Sequence, residues 1–286
     1  MSLVPFELYH AKKGASCAIF SSPHSGSDYP ADFLSRIELD PHEIRSSEDA
    51  FVDDLFMPAV ESGAPLLAAT FPRAYVDLNR AHDEMDPAII HGAVKRGMNP
   101  RIAAGLGVIP RVVSEGRPIM RGKISLADAE RRLILAYEPY HRMLNHLIRN
   151  NLEAFGIAVL FDCHSMPHEA LASAPKVRGK RPDVILGDRF GASCDYQIME
   201  QTAAAFTDQG FAVARNAPFA GGHITQFYGR PSRSVHAIQI EIDRAIYMNE
   251  KSLTRSLAFG QIKARLSQVI ANLCDSAVNR LPMAAE

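Results

Sequence analysis

The chain is short of cysteine, of net charge and of long apolar runs, and each shortage removes a class of explanation. Four cysteines are scattered through 286 residues, at Cys17, Cys163, Cys194 and Cys274, with no CxxC pair. That pattern suits neither a disulfide framework nor a cysteine-rich zinc site, and reads as reduced thiols in a cytoplasmic protein. The formal net charge of −1 leaves no electrostatic footprint for nucleic acid or an anionic membrane. No apolar run approaches the roughly 20 residues of a membrane-spanning helix. The start, Met1-Ser-Leu-Val-Pro-Phe-Glu, lacks the basic-then-apolar order of a signal peptide. No repeat, linker or low-complexity tract interrupts the chain, so residues 1–286 read as one domain. Hydrophobic content of 47% and charged content of 22% are ordinary for a globular protein.

What is present is a series of short apolar runs that end on polar residues. Ala158-Val-Leu-Phe-Asp-Cys-His-Ser165 reads as a strand buried on both faces. Its polar residues fall at the carboxyl end, where open α/β sheets bind ligands. Strand residues two apart share a face, so Asp162 and His164 point together and Cys163 points away. That opposes a Cys163–His164 dyad and allows Asp162 to orient His164. Cys17-Ala-Ile-Phe-Ser-Ser22 repeats the pattern, running into Pro23-His-Ser-Gly26, where Gly26 permits a sharp turn or a close approach. Residues 64–70 read as a further strand, as do 183–187 and 211–214. In the stretch from His236 to Asp243, Ile238, Ile240 and Ile242 share one face and Gln239, Glu241 and Asp243 the other. The isoleucines favour a central strand over an edge strand with a solvent face. A carboxylate facing a partly closed site there suits a general base.

Helices are expected over 42–62, from Ser125 to a C′ residue at Gly156 with a kink or break at Pro139, from Ser193 or Asp195 to about Asp208, and over 250–279. The buried stripe of the last would be Leu253, Leu257, Ile262, Leu266, Ile270 and Leu273. His141 and His146 lie on the second helix without i, i+4 spacing and read as structural. Asp49 is either a carboxylate at a helix start or a metal ligand. Asp77-Leu-Asn-Arg80 offers either a carboxylate clamp built on Asn79 and Arg80 or a salt-bridged surface turn. Residues 81–122 have weak periodicity and read as a long irregular excursion. Gly221-Gly222 before His223 bring backbone amides close to whatever the loop faces.

Two histidines with one carboxylate are a common ligand set for catalytic zinc. No compact HExxH motif is present. Taken together, Pro23-His-Ser-Gly26, Asp77-Leu-Asn-Arg80, Asp162-Cys-His-Ser165, Gly221-Gly-His-Ile-Thr225, Tyr228-Gly-Arg-Pro231 and Gln239-Ile-Glu241 resemble the N-formylglutamate amidohydrolase family, in its order and across nearly the whole chain. The resemblance implies a single α/β domain of the zinc-exopeptidase (phosphorylase/hydrolase)-like kind, with a mixed, mostly parallel central sheet flanked by helices on both faces. It implies one zinc ion held by His24, His164 and an acid, with Asp49 the best match and Glu48 the runner-up. Ser27 stands where carboxypeptidases place that acid, and Phe51 where many family members have a histidine. Glu241 matches the catalytic base, Arg73 the oxyanion-steadying arginine, and Asn79 with Arg80 the carboxylate clamp. Gly222 and His223 match the loop at the formyl end.

The activity so implied is zinc-dependent hydrolysis of N-formyl-L-glutamate to L-glutamate and formate, the last step of one histidine-degradation route. The substrate is then a small N-acyl amino acid, with no nucleic acid or membrane partner. Two alternatives stand beside it: a deacylase of another N-acyl amino acid or small amide, and a non-catalytic ligand-binding protein on the same scaffold. Oligomeric state has no signature in the sequence.

Overall fold

A computed structural model describes residues 4–12, 15–94 and 99–278. Its backbone contains a seven-stranded sheet built from β1 (Phe6–Tyr9), β2 (Ala18–Ser22), β3 (Leu66–Ala69), β4 (Ala158–Met166), β5 (Val184–Gly187), β6 (Val213–Arg215) and β7 (Val235–Asp243). The order across the sheet is β1-β3-β2-β4-β7-β5-β6. The β2/β4, β4/β7 and β5/β6 pairs are parallel and the β5/β7 pair is antiparallel, which makes the sheet mixed and mostly parallel. All nine residues of β4 and all nine of β7 are buried. The isoleucine-rich β7 is therefore internal, as its continuous apolar face requires.

The contacts gather into two compact units. The first comprises Met1–Glu7, Pro23–Ala50 and Ala68–Met143; the second comprises Leu8–Ser22, Phe51–Leu67 and Leu144–Glu286. The first unit is poor in regular structure. Much of residues 81–122 is irregular yet packed: Ile89, Ile90, Val108, Ile109 and Ile119 are buried, and Arg111 pairs with the Asp86 carboxylate at 3.1 Å. Residues 95–98 of that stretch lie outside the described residues. The second unit holds the strands β2, β4, β5, β6 and β7 whole, with the helices Tyr196–Asp208 and Phe259–Val278.

Two expected helices differ from the sequence reading, and a third has an irregular turn beside its proline. Residues 42–62 form not one helix but a 3₁₀ turn at Glu43–Ser47 and two short helices, Val52–Phe56 and Pro58–Glu61. Phe51 takes a left-handed conformation (φ 67°), and Pro58 lacks the N–H that a continuous helix would use. The phenyl ring of Phe51 packs edge-on against Phe259, 6.0 Å between centroids, and lies under the Arg255 guanidinium at 5.2 Å. These contacts offset the cost of a positive φ on a bulky residue.

The helix from Ser125 is not broken at Pro139. Ser125 Oγ caps it by accepting from the Asp128 N–H at 3.0 Å. A five-residue π turn, Leu133–Tyr137, precedes the helix Glu138–Phe155, and the wider turn accommodates the proline. Gly156 closes it at φ 70°. The last helix begins at Phe259, not at residue 250. Asn249 Oδ1 accepts from the N–H groups of Lys251 and Ser252, and the turn pairs Met248–Asn249 with Thr254–Arg255. Leu257 consequently lies outside the helix and fully exposed, while Ile262, Leu266, Ile270 and Leu273 form the buried stripe. Residue 279 lies outside the described residues. Among the described residues, no helix is long and apolar enough to cross a membrane.

Candidate active site

In the second unit, polar side chains are set by the sheet itself. Parallel pairing places Asp162 beside Gln239 and His164 beside Glu241. Residues in register on adjacent strands point to the same face, so these four form one polar block at the carboxyl ends of β4 and β7. All four are buried. His164 Nε2 lies 3.0 Å from Asp162 Oδ2. Gln239 Nε2 donates to Glu241 Oε1 at 2.7 Å, which fixes the carboxylate on one side. Cys163 points to the other face. Burial, and then the neighbouring Asp162, push its thiol well above the ordinary cysteine range. A buried thiol of that kind is inert, which closes the cysteine-nucleophile reading.

β5 lies against the other side of β7, with Gly187 opposite Gln239. A Cβ on Gly187 would stand 2.6 Å from the Ala220 carbonyl carbon, so only glycine lets the segment before Gly221 approach the strand. Gly222 and His223 follow. The sequence reads them as a loop; they are the cap and first residue of a short helix, His223–Tyr228, and the His223 ring stacks on Phe227 with centroids 5.3 Å apart.

In the first unit the site residues are carried by loops. The chain leaves β2 into Pro23-His-Ser-Gly26. A Cβ on Gly26 would fall 2.2 Å from the Phe71 carbonyl oxygen, and the Asp28 N–H donates to the Thr70 carbonyl at 2.9 Å. What comes close to Gly26 is thus the protein's own backbone. His24 is held from both ends. Its Nε2 lies 2.7 Å from Asp77 Oδ1, its Nδ1 lies 3.5 Å from Asp49 Oδ2, and its carbonyl accepts from the Asp49 N–H at 2.9 Å. Asp49 sits in the break between the 3₁₀ turn and the Val52–Phe56 helix, so it is not a helix-start carboxylate. Glu48 faces elsewhere: it accepts from the Arg45 guanidinium at 3.0–3.1 Å and from the Tyr29 hydroxyl at 2.6 Å.

Asp77 is the hub of this unit, and the sequence reading assigns it no role. Arg73 Nε donates to its Oδ2 at 3.0 Å, Arg80 Nε stands 3.8 Å from the same oxygen, and the Asn79 N–H donates to Oδ1 at 2.9 Å. Burial alone would raise the Asp77 carboxyl; Arg73, Arg80 and His24 outweigh it and hold the group well below the usual carboxylate range. Arg80 spends most of its fork on the protein: Nε donates to the Leu106 carbonyl at 2.9 Å and Nη1 to the Asn79 carbonyl at 2.8 Å. The Arg73 side chain is the more accessible of the two, 25% exposed against 10%. These contacts replace the salt-bridged surface turn with a buried one, since Asp77, Asn79 and Arg80 are all buried. The signal that could have found Asp77 is chemical: a ligating histidine needs a carboxylate or carbonyl on its second nitrogen.

One ligand atom each from His24, Asp49 and His164 can be chosen so that all three lie within 4.8 Å of one another. Two imidazole nitrogens and a carboxylate oxygen are a donor set that suits zinc and leaves a position open. Nε2 of His24 lies beside Asp77 and Nε2 of His164 beside Asp162, carboxylates of the kind that orient ligating imidazoles. The residues present therefore fit the metal that the sequence resemblance implies.

Comparison with known proteins bears out the family resemblance. The model of the family described as N-formylglutamate amidohydrolase matches residues 16–248. An N-formylglutamate deformylase of Pseudomonas aeruginosa is 32% identical over 257 residues, covering 86% of this chain and 87% of that protein. One from Pseudomonas putida is 31% identical over 264 residues, covering 88% of each. The crystal structure of an N-formylglutamate amidohydrolase from Ralstonia eutropha superposes with a TM-score of 0.91 at 32% identity, covering 97% of this chain and 99% of that one. With a family match over most of its length and relatives of this similarity, the chain belongs to the N-formylglutamate amidohydrolase family.

Proposed function

We propose that the protein hydrolyses N-formyl-L-glutamate to L-glutamate and formate, working as one catalytic domain with a single zinc ion held by His24, Asp49 and His164. This is the reaction its Pseudomonas relatives are named for, and the family resemblance in the sequence implies that it would close a histidine-degradation route. The observation that carries the reading is the pairing of a His-Asp-His ligand set with a buried glutamate in register with one of the histidines.

When bound, zinc would polarise the acyl carbonyl and lower the pKa of water. The remaining work belongs to the side chains. Glu241 takes a proton from the attacking water, whose oxygen adds to the formyl carbon. As the C–N bond breaks, Glu241 returns that proton to the leaving nitrogen. Gln239 keeps the Glu241 carboxylate turned for both transfers. Arg73, fixed by Asp77 and partly accessible, meets the negative charge that develops on the carbonyl oxygen. Asn79 and Arg80 receive a substrate carboxylate. Two of the five N–H groups of Arg80 are taken by the Leu106 and Asn79 carbonyls, and its remaining N–H groups meet the substrate carboxylate. Asp77 and Asp162 orient the two histidine rings. Gly222 and His223 would serve the formyl end of the substrate.

The test is a panel of N-formyl and N-acetyl amino acids assayed with zinc-replete enzyme. N-formyl-L-glutamate should give the highest kcat/KM. A better rate on an N-acetyl or a non-glutamate substrate would reassign the activity within the amidohydrolase class. Substrate binding without any turnover would convert the protein to a binding module.

A further inference from the structure

The loop Tyr75–Arg80 has an unusual problem and an unusual solution. All six of its residues are buried, yet it has no helical or strand structure. Buried carbonyls need donors, and an irregular segment cannot supply them from its own ladder. Here side chains do. The Arg132 guanidinium Nη1 donates to the Tyr75 carbonyl at 3.1 Å. His141 Nε2 contacts the Leu78 carbonyl at 3.0 Å, and because a carbonyl only accepts, that nitrogen carries the proton. The Tyr137 hydroxyl donates to the Arg80 carbonyl at 2.9 Å. The Asn79 carbonyl is taken by Arg80 itself.

The three outside donors come from one helical run, and its irregularity is what aligns them. At about 3.6 residues per turn, residues 132 and 137 of a regular α-helix would point about 140° apart. The π turn at Leu133–Tyr137 inserts an extra residue into that interval and carries Tyr137 back toward the face of Arg132. His141 then follows one α-helical turn later. Packing locks all three. The Arg132 guanidinium lies over the rings of Tyr75 at 4.5 Å and Phe33 at 5.1 Å, and the Tyr137 and His141 rings are 4.1 Å apart. π turns of this kind concentrate at functional sites.

We propose that Arg132, Tyr137 and His141 are positioning residues for substrate binding, and that the π turn exists to set them. They fix the backbone that aims Asn79 and Arg80 at the substrate carboxylate and Asp77 at His24. The inference rests on the proposed role of Asn79 and Arg80 as the carboxylate clamp. It assigns function to His141, which the sequence marks only as a structural histidine, to Tyr137, which reads there as part of an apolar helix stripe, and to Arg132, to which the sequence gives no role.

The experiment measures kcat and KM for N-formyl-L-glutamate, calorimetric affinity for the product L-glutamate, and the thermal midpoint. The variants are Tyr137→Phe, His141→Leu, His141→Gln and Arg80→Lys. Tyr137→Phe should raise KM and the glutamate Kd together by about fivefold, the factor that corresponds to one net hydrogen bond of ~1 kcal/mol. Its kcat should change by less than about twofold, the signature of lost uniform binding. His141→Leu should behave likewise, and His141→Gln, which keeps a donor, should recover most of the affinity. An unchanged KM and Kd in Tyr137→Phe and His141→Leu, with only the thermal midpoint lowered, would overturn the inference. Equal behaviour of the Leu and Gln variants would do the same. Arg80→Lys separates the two readings. A KM rise in it without one in Tyr137→Phe removes this inference alone. No KM rise in Arg80→Lys removes the clamp, and the inference with it.

Discussion

The second unit presents its chemical groups on strands and the first presents them on loops, and the two are held in place by different physics. Asp162, His164, Gln239 and Glu241 are placed by the pleat. Their neighbours along β4 and β7 are buried, and a slip of one residue would turn all four to the other face. His24, Asp49, Arg73, Asp77, Asn79 and Arg80 have no ladder behind them. They are placed by side-chain hydrogen bonds, above all those that converge on Asp77. The difference predicts that the strand-borne groups tolerate the loss of one polar partner better than the loop-borne groups do.

The largest effect expected is on the strand side and is chemical. Glu241→Gln keeps the shape and removes the proposed base, so kcat should fall by about 10²–10⁴-fold while the thermal midpoint barely moves. A variant that loses its fold instead would show that Glu241 is structural. The comparison itself is sharpened by a matched pair. Asp77→Asn and Asp162→Asn each remove the carboxylate beside one histidine, a change that typically costs 10–100-fold in metal affinity or activity. Asp77→Asn should fall near the upper end and also lower the thermal midpoint, because it strips the charge partner from Arg73 and Arg80. Asp162→Asn should fall near the lower end with little loss of stability. Equal losses in both variants, read by zinc affinity and calorimetry, would break the contrast.

Acid should weaken the hydrogen bonds gathered on Asp77. The Asp77 carboxyl is held below its ordinary value of 3.8 in the folded protein, so its contribution to stability is complete above that value. It declines as the pH falls through 3.8 and is gone below the folded-state value. The gap in thermal midpoint between wild type and Asp77→Asn should therefore be constant above about pH 5 and narrow on acidification. A gap that widens with acid would contradict the assignment. The smallest effect belongs to Cys163. Cys163→Ala should leave kcat and KM unchanged and lower stability by only about 1 kcal/mol, measured by urea unfolding.

The same contrast decides what could be read from the sequence. The pairing of Asp162 with His164, the turn of Cys163 to the opposite face and the internal place of the Glu241 strand all follow from a period of two, which is local. His24 is visible because a short apolar run ends on it. The break around Asp49 is not visible, because Phe51 adopts its left-handed conformation against Phe259 and Arg255, some 200 residues away in sequence. Asp77 is not visible as a hub, because its partners Arg73, Arg80 and His24 are gathered by tertiary packing. The π turn ahead of Pro139 is hidden as well, since it leaves no periodic trace in the sequence. What local patterning sets was legible, and what distant packing sets was not.

The central claim is that His24, Asp49 and His164 hold a zinc ion on which amide hydrolysis depends. It is tested by stripping the enzyme with a chelator, restoring zinc in steps, and measuring bound zinc per chain alongside formate release from N-formyl-L-glutamate. The account predicts that activity is lost with the metal and returns in proportion to zinc, reaching its plateau at one ion per chain. It predicts also that His24→Ala and His164→Ala neither bind the ion nor recover. Full formate release from metal-free enzyme would contradict it.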